Sequence, residues 1–293
     1  GLATVDPAGR PVREVSYNEE SEGTRYVAAI VGDYEVALWR ADDAGETRQA
    51  VVTIEGGRKV THVSVGRRGA IAAATETGHL YYWVFDEDEP RLTDVVSVAN
   101  EPVTALEFLI GGTSLVLGTA SGEVTSWFRA AVGDGPETML RAHVYEPQGS
   151  AVVAFAPSPR ERSFAATGAD GTLVLRYQTS ERTLARLPGV GAMSRLVSLR
   201  TYALSNPHPE ISWRALFGKV WYEGYADPEY VWQSTGGTDD FEPKLSLMPL
   251  VFGTIKGTFY AMQFAIPIAV ASALYTSQFV HPNIKEKIKP TVE

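Results

Sequence analysis

Cysteine is absent from all 293 residues, which removes structural disulfides, thiolate metal sites and a cysteine nucleophile while saying little about compartment. Basic blocks are absent as well. The 26 Lys and Arg against 35 Asp and Glu leave a net charge of -9, spread over short loops, with no stretch able to track a nucleic-acid backbone. Histidine is sparse, and His62, His79, His143, His208 and His281 include no pair at the i, i+4 spacing of a helical metal site. No Gly-x-Ser-x-Gly elbow or P-loop occurs, and Gly189-Val190-Gly191 lacks the third glycine and the strand-turn-helix setting of a dinucleotide fingerprint. The run Asp86-Glu87-Asp88-Glu89 lacks the spaced, glycine-bent pattern of a calcium loop and reads as a solvated loop. No catalytic, cofactor-binding or metal-binding residue is therefore expected, and nucleic acid is not an expected partner. The chain opens at Gly1-Leu2-Ala3 without a basic and apolar leader and closes at Thr291-Val292-Glu293, so it reads as a fragment truncated at both ends.

What the sequence does contain is a repeat. A glycine turn, an apolar residue, two variable residues and usually Trp recur as Gly32-Asp33-Tyr34-Glu35-Val36-Ala37-Leu38-Trp39, Gly78-His79-Leu80-Tyr81-Tyr82-Trp83, Gly122-Glu123-Val124-Thr125-Ser126-Trp127 and Gly171-Thr172-Leu173-Val174-Leu175-Arg176. The first three Trp positions are 44 residues apart, from 39 to 83 to 127, and Arg176 stands at the fourth. Upstream of each hairpin is an apolar triplet at i, i+3, i+5: Val12/Val15/Tyr17, Val60/Val63/Val65, Val103/Leu106/Phe108 and a weaker Ser150/Val153/Phe155. Ala- and Val-rich runs between the two marks, such as Ala70 to Ala74, read as strands buried on both faces.

Four strands per repeat and a period of ~40 to 45 residues fit WD-like β-propeller blades. The same alternation with glycine turns also fits a β-sandwich. Residues 1–205 are expected to form a partial propeller of about four to five blades, fewer than the ~6 to 8 that commonly close a ring, with further blades upstream. Neither Trp-Asp nor the Gly-His pair at the blade start is present. A propeller without convergent catalytic groups is expected to act as a platform.

The pattern changes class in the last ninety or so residues. Trp213, Leu216, Phe217, Val220 and Trp221 at i, i+3, i+4, i+7, i+8 predict an amphipathic helix. Its aromatic face suits either a membrane interface, which assigns Trp213, Phe217 and Trp221 there, or docking on the β region. Residues 206–247 are expected to form this helix and a connecting loop, and residues 248–293 the start of a transmembrane domain. From Gly257 to Val280 no residue is formally charged, and as a helix the run spans ~36 Å against a hydrocarbon core of about 30 Å. Gly257, Phe264, Pro267 and Leu274 mark this helix, and Pro267 suits a membrane better than water. A buried pair of short helices is the alternative. Lys256 is placed to snorkel to the headgroups. Lys285, Lys287 and Lys289 on one flank, against Asp227, Glu229, Asp239, Asp240 and Glu242 on the other, put the β region outside the cytoplasm. Gly253 and Gly257 form a Gly-x-x-x-Gly pair that would permit close helix contact.

Three segments carry a family resemblance: Trp213-Arg214-Ala215-Leu216-Phe217, then Asp239-Asp240-Phe241-Glu242-Pro243-Lys244-Leu245-Ser246-Leu247, then Pro249-Leu250-Val251-Phe252-Gly253-Thr254-Ile255-Lys256-Gly257-Thr258. With Ala265-Ile266-Pro267-Ile268-Ala269, Tyr275-Thr276-Ser277 and Lys289-Pro290-Thr291-Val292-Glu293, they closely resemble the phosphate ABC transporter permease family PstC over about the last eighty residues. The resemblance implies a permease subunit of an ATP-driven phosphate importer in a bacterial inner membrane, with the repeats as the periplasmic insertion of a long-form subgroup. It also implies a second permease subunit, cytoplasmic ATPase subunits that perform the hydrolysis, and an external phosphate-binding protein. The family's transport residues would lie past Glu293. Two other classes compete with it: a membrane-anchored β-propeller scaffold or sensor that binds a protein partner, and a propeller hydrolase or lyase.

Overall fold

The computed structural model describes residues 9–20, 23–44, 46–86, 89–132, 135–159, 163–178, 183–187, 213–233 and 244–279. These form a mainly β region followed by an apolar helix.

The strands are rich in Val, Ile, Ala and aromatic residues and are separated by glycine turns, which favours short antiparallel meanders. Sheet 1 holds β1 (Val12–Glu19), β2 (Arg25–Val31), β3 (Glu35–Ala41) and β4 (Thr47–Thr53). Sheet 2 holds β5 (Val60–Val65), β6 (Ala70–Thr75), β7 (His79–Asp86) and β8 (Glu89–Ser97). Sheet 3 holds β9 (Val103–Phe108), β10 (Leu115–Thr119), β11 (Val124–Ala131) and β12 (Glu137–Tyr145). Sheet 4 holds β13 (Val152–Pro157), β14 (Ser163–Gly168), β15 (Leu173–Tyr177) and β16 (Thr183–Leu187). In each sheet the spatial order is the chain order, and the first strands of successive sheets lie beside one another.

The registers repeat from sheet to sheet. Val12, Val60, Val103 and Val152 pair with Val31, Thr75, Thr119 and Gly168, and in every sheet a bulge follows at once. Such a bulge re-aims the strand and strengthens its twist. The turns into the third strands pivot on Gly32, Gly78, Gly122 and Gly171, all at positive φ. At two of them space is a second constraint: a Cβ on Gly78 would sit 2.1 Å from the Ala99 carbonyl oxygen, and one on Gly122 2.4 Å from that of Ser150. Each of these two turns therefore approaches the segment leading to the next sheet so closely that only glycine fits.

This register corrects the fourth triplet. Val152, Phe155 and Pro157, not Ser150, Val153 and Phe155, are the equivalents of Val60, Val63 and Val65. Apolar residues at alternate positions make two registers indistinguishable in sequence, whereas in the structure Val152 is buried and Val153 exposed.

Each pair of neighbouring sheets encloses one apolar layer. Tyr26, Ala28, Ile30, Val36 and Leu38 of sheet 1 meet Val60, Val63, Val65, Ile71 and Trp83 of sheet 2. Ala70, Ala72, Ala74, Leu80 and Tyr82 on the other face of sheet 2 meet Leu106, Phe108, Leu115, Leu117 and Trp127 of sheet 3. Val116, Val124 and Tyr145 then meet Val152, Phe164 and Ala166 of sheet 4. Strands β6 and β10 are buried along their whole length because they have a sheet on both faces.

After the sheets, α1 is short (Trp213–Phe217). The apolar spacing predicts helix through Trp221, but Gly218 follows α1 and Val220 forms a bridge with Glu229 instead. A second bridge joins Trp232 and Leu245, and the Leu247 N–H donates to the Leu216 carbonyl at 2.8 Å. This small layer leads into α2 (Met248–Gln278, 31 residues), about 46 Å long. The helix begins ahead of the uncharged run because Pro249 suits its first turn, and it runs on through Pro267.

Candidate functional site

Polar side chains stitch the first strands of neighbouring sheets together. Glu14 on β1 accepts the Val63 N–H at 3.4 Å and contacts His62 Nδ1 at 3.0 Å. Ser16 Oγ accepts the Val65 N–H at 3.0 Å, and Ser64 Oγ accepts the Phe108 N–H at 3.1 Å. Ser64 also donates to Glu107 Oε1 at 3.2 Å. Thr104 Oγ1 donates to the Val152 carbonyl at 2.6 Å, carrying the same theme to sheet 4. The bonds to Glu14, Ser16 and Ser64 satisfy edge N–H groups, and the bond from Thr104 an edge carbonyl, that would otherwise be buried unpaired.

Burial pushes the Glu107 carboxyl up from its ordinary pKa, and the bonds from Ser64 and the Phe108 N–H act in the opposite direction. At the outer strands, Asp94 of β8 accepts Arg129 Nε at 2.9 Å and the Met139 N–H at 3.1 Å. Arg129 also lies 5.6 Å from the Tyr82 ring centre. Burial pushes Tyr82 up to about 12, with the Arg129 charge partly opposing it. A polar cleft of ≈ 490 Å³ opens where β1, β5 and β9 end, lined by Asn18, Glu19, Glu20, Arg67, Glu107 and Gly112 among others. Among the described residues, no group of three or more His, Asp or Glu side chains could hold a metal ion. Glu87, Asp88, Gly189-Val190-Gly191, His208 and His281 lie outside the described residues.

Trp39, Trp83, Trp127 and Arg176 occupy one register position, opposite Val27, Ile71, Leu115 and Phe164, which in turn face Tyr17, Val65, Phe108 and Pro157. All four are buried. Trp83 stacks on Tyr81 at 5.9 Å, and Trp127 Nε1 donates to Thr125 Oγ1 at 2.9 Å. Arg176 takes the place of a ring by lying 5.5 Å from the Tyr145 ring centre while donating to the Glu146 carbonyl at 2.8 Å. A guanidinium can substitute for indole here because its flat face stacks on an aromatic ring.

The aromatic face of residues 213–221 divides. Trp213 and Phe217 stack on each other at 5.3 Å and remain exposed. Trp221 instead docks edge-on against Phe128 of β11 at 5.6 Å, and its Nε1 donates to the Tyr225 carbonyl at 2.6 Å. Nearby, Gln178 approaches Glu223 at 3.5 Å, and the Tyr145 hydroxyl donates to the Gln178 carbonyl at 2.7 Å. This seam ties the small layer ahead of α2 to sheet 3. Sequence reasoning missed Phe128, Gln178 and Glu223; Phe128 directly follows a repeat Trp, and that adjacency was the available signal.

No side chain of α2 is buried. Gly257, Phe264, Pro267 and Leu274 all lie on it in the open, and Lys256 Nζ lies 5.8 Å from the Tyr260 ring centre. A Cβ built on Gly253 or Gly257 meets nothing within 4 Å, so no described residue packs at that pair. The helix is long and apolar enough to cross a membrane. Lys285, Lys287, Lys289, Asp239, Asp240 and Glu242 lie outside the described residues.

Among the described residues the fold is thus mainly β, with four antiparallel four-stranded sheets and one attached apolar helix. No protein-family model matches the chain, and no curated protein matches it.

Proposed function

We propose that the chain is part of a permease subunit of an ATP-driven phosphate importer, with the sheets as consecutive blades of an external propeller that serves as a docking or regulatory platform. The observation that carries this reading is α2: a long apolar helix with no buried side chain, joined to the sheets through an ordered layer. Water would be a poor solvent for such a surface, whereas lipid and neighbouring helices suit it. The resemblance of residues 213–217 and 249–277 to the PstC family supplies the class of cargo. On this reading a second permease subunit, cytoplasmic ATPase subunits and an external phosphate-binding protein complete the importer. The chain contributes structure to the pathway rather than catalysis, and the sheets lie on the periplasmic side of a bacterial inner membrane.

The repeated register, with first strands side by side, supports the blade assignment. Uptake of labelled phosphate by transport-deficient cells tests the function. The full-length gene is expected to restore uptake, and no uptake from a correctly inserted protein would remove phosphate import. A variant lacking the sheets then assigns their role: lost uptake with normal insertion places them in substrate delivery or gating, and retained uptake makes them an attached regulatory module.

A further inference from the structure

The chain enters α2 without slack. Residues 244–247 immediately precede Met248, and their backbone is held on two sides. The Lys244 carbonyl accepts the Gln233 N–H at 2.9 Å, and the Ser246 N–H donates to the Val231 carbonyl at 3.0 Å. The Leu247 N–H reaches back to the Leu216 carbonyl of α1, and Ser246 is fully buried. A segment that served only as a tether would leave these groups to water and keep its freedom. Here each bond constrains the direction in which the helix leaves.

One turn joins this entry to the sheets. Tyr222-Glu223-Gly224-Tyr225 closes through the Tyr225 N–H, which donates to the Tyr222 carbonyl at 3.1 Å. Gly224 has a φ of 78°, as the third residue of a type II turn must. The turn brings the two rings together edge to face, with centres 6.1 Å apart. Lys244 Nζ lies 5.9 Å from the Tyr222 ring centre and 4.8 Å from that of Tyr225, and it donates to the Tyr225 hydroxyl at 3.5 Å. Lys219 and Lys256 each lie near one ring, so among the described residues Lys244 is the lysine set between two. An ammonium attracted by two aromatic faces is held more firmly than by one.

Tyr225 is where the two regions meet. Its carbonyl accepts the indole N–H of Trp221, the side chain seated on Phe128 of sheet 3. The same residue therefore holds sheet 3 through its backbone and the entry to α2 through its side chain.

We propose that the two-tyrosine cage on Lys244 is a transmission joint: it fixes the angle at which α2 leaves the sheets, so that displacement of the sheets by a docked partner reaches α2 as a change of tilt. This rests on reading α2 as a membrane helix, and it makes the sheets a regulatory module instead of a passive attachment.

The absence of cysteine allows spin labels to be placed singly. In the full chain in lipid nanodiscs, labels at Thr138→Cys of β12 and Gln263→Cys of α2 read the joint by double electron–electron resonance. Gln263 lies about 22 Å along the helix from Met248, so a small change of angle becomes a large change of distance. The parent distance distribution is expected to be narrow. Lys244→Gln should widen it about twofold, and Lys244→Arg, which keeps a cation between the rings, should leave it narrow. A pair within the sheets, Thr53→Cys with Thr138→Cys, should stay narrow throughout. Equal widths in the parent and Lys244→Gln overturn the proposal, whether both are broad or both narrow. So does an Arg variant as broad as the Gln variant. Widening of the sheet pair by Lys244→Gln also overturns it, because the cage would then support the sheets instead of orienting the helix. Relaxation of the Gln263→Cys label by oxygen against a water-soluble reagent reports separately whether α2 lies in lipid, which distinguishes failure of the membrane reading from failure of the joint.

Discussion

Strand β6 and helix α2 are both dominated by apolar residues, and they end in opposite environments. Every residue of β6 is buried. In α2 none is, and Phe252, Phe259 and Phe264 are 69%, 67% and 69% exposed. Apolar composition alone therefore does not set burial; the period of the surrounding sequence does, because it determines whether a neighbouring element arrives to cover the strand. Sheet 2 has a neighbour on each face, while α2 must find its apolar surroundings outside the chain's described residues. A charge placed in each should break different things.

The largest effect is expected in the sheets. Ala72 of β6 faces Leu115 and its neighbours across the layer between sheets 2 and 3. Ala72→Asp would bury a carboxylate without a partner, costing about 4 kcal/mol or more. Denaturant unfolding of the β region should show this whether or not the protein is in lipid. Ala265→Asp on α2 should leave that unfolding untouched and instead reduce membrane insertion by ~2.5 to 3.5 kcal/mol. Glycosylation-reporter insertion assays measure the second quantity. If Ala265→Asp inserted normally, or destabilised the sheets, the contrast between the two regions would fail.

Much of this contrast was legible in sequence. The 44-residue spacing of Trp39, Trp83 and Trp127 located one register position in three successive sheets, because a strand's two-residue side-chain period fixes which face a repeated residue occupies. Arg176 was found by position even though its chemistry differs. The fourth triplet was misplaced because alternating apolar residues fit two registers equally well. Glu14, Ser16 and Ser64 were invisible as stitches, since a polar residue on a strand looks solvent-facing until a second sheet is placed beside it. The division of the aromatic face was hidden for a related reason: helical spacing can align Trp221 with Trp213 and Phe217, but Gly218 ends the helix and turns Trp221 toward Phe128.

That seam offers a sharper and smaller test of whether the two regions are mechanically joined. Trp221→Ala removes the edge-on pair with Phe128, worth about 0.5 to 1.5 kcal/mol beyond the buried area. Hydrogen exchange over residues 220–233 should accelerate, while β6 and β10 keep their protection. Equal loosening of β10 would mean that the seam supports sheet 3 itself rather than coupling it to the layer ahead of α2.

The smallest effect concerns the polar stitch between sheets 2 and 3. Burial raises the Glu107 pKa in the folded protein, so the folded state holds that proton to a higher pH than the unfolded chain does. The group's contribution is fully present below the ordinary carboxylate range and is lost as pH rises through the raised value, where a charge must be carried between the sheets. Glu107→Gln keeps an oxygen able to accept from Ser64 and the Phe108 N–H but carries no charge. Its melting temperature should match that of the parent at pH ~4 and exceed it by about 2 °C at neutral pH. An equal gain at both pH values would trace the effect to packing and not to ionisation, and a loss at neutral pH would mean that the stitch depends on the carboxylate charge.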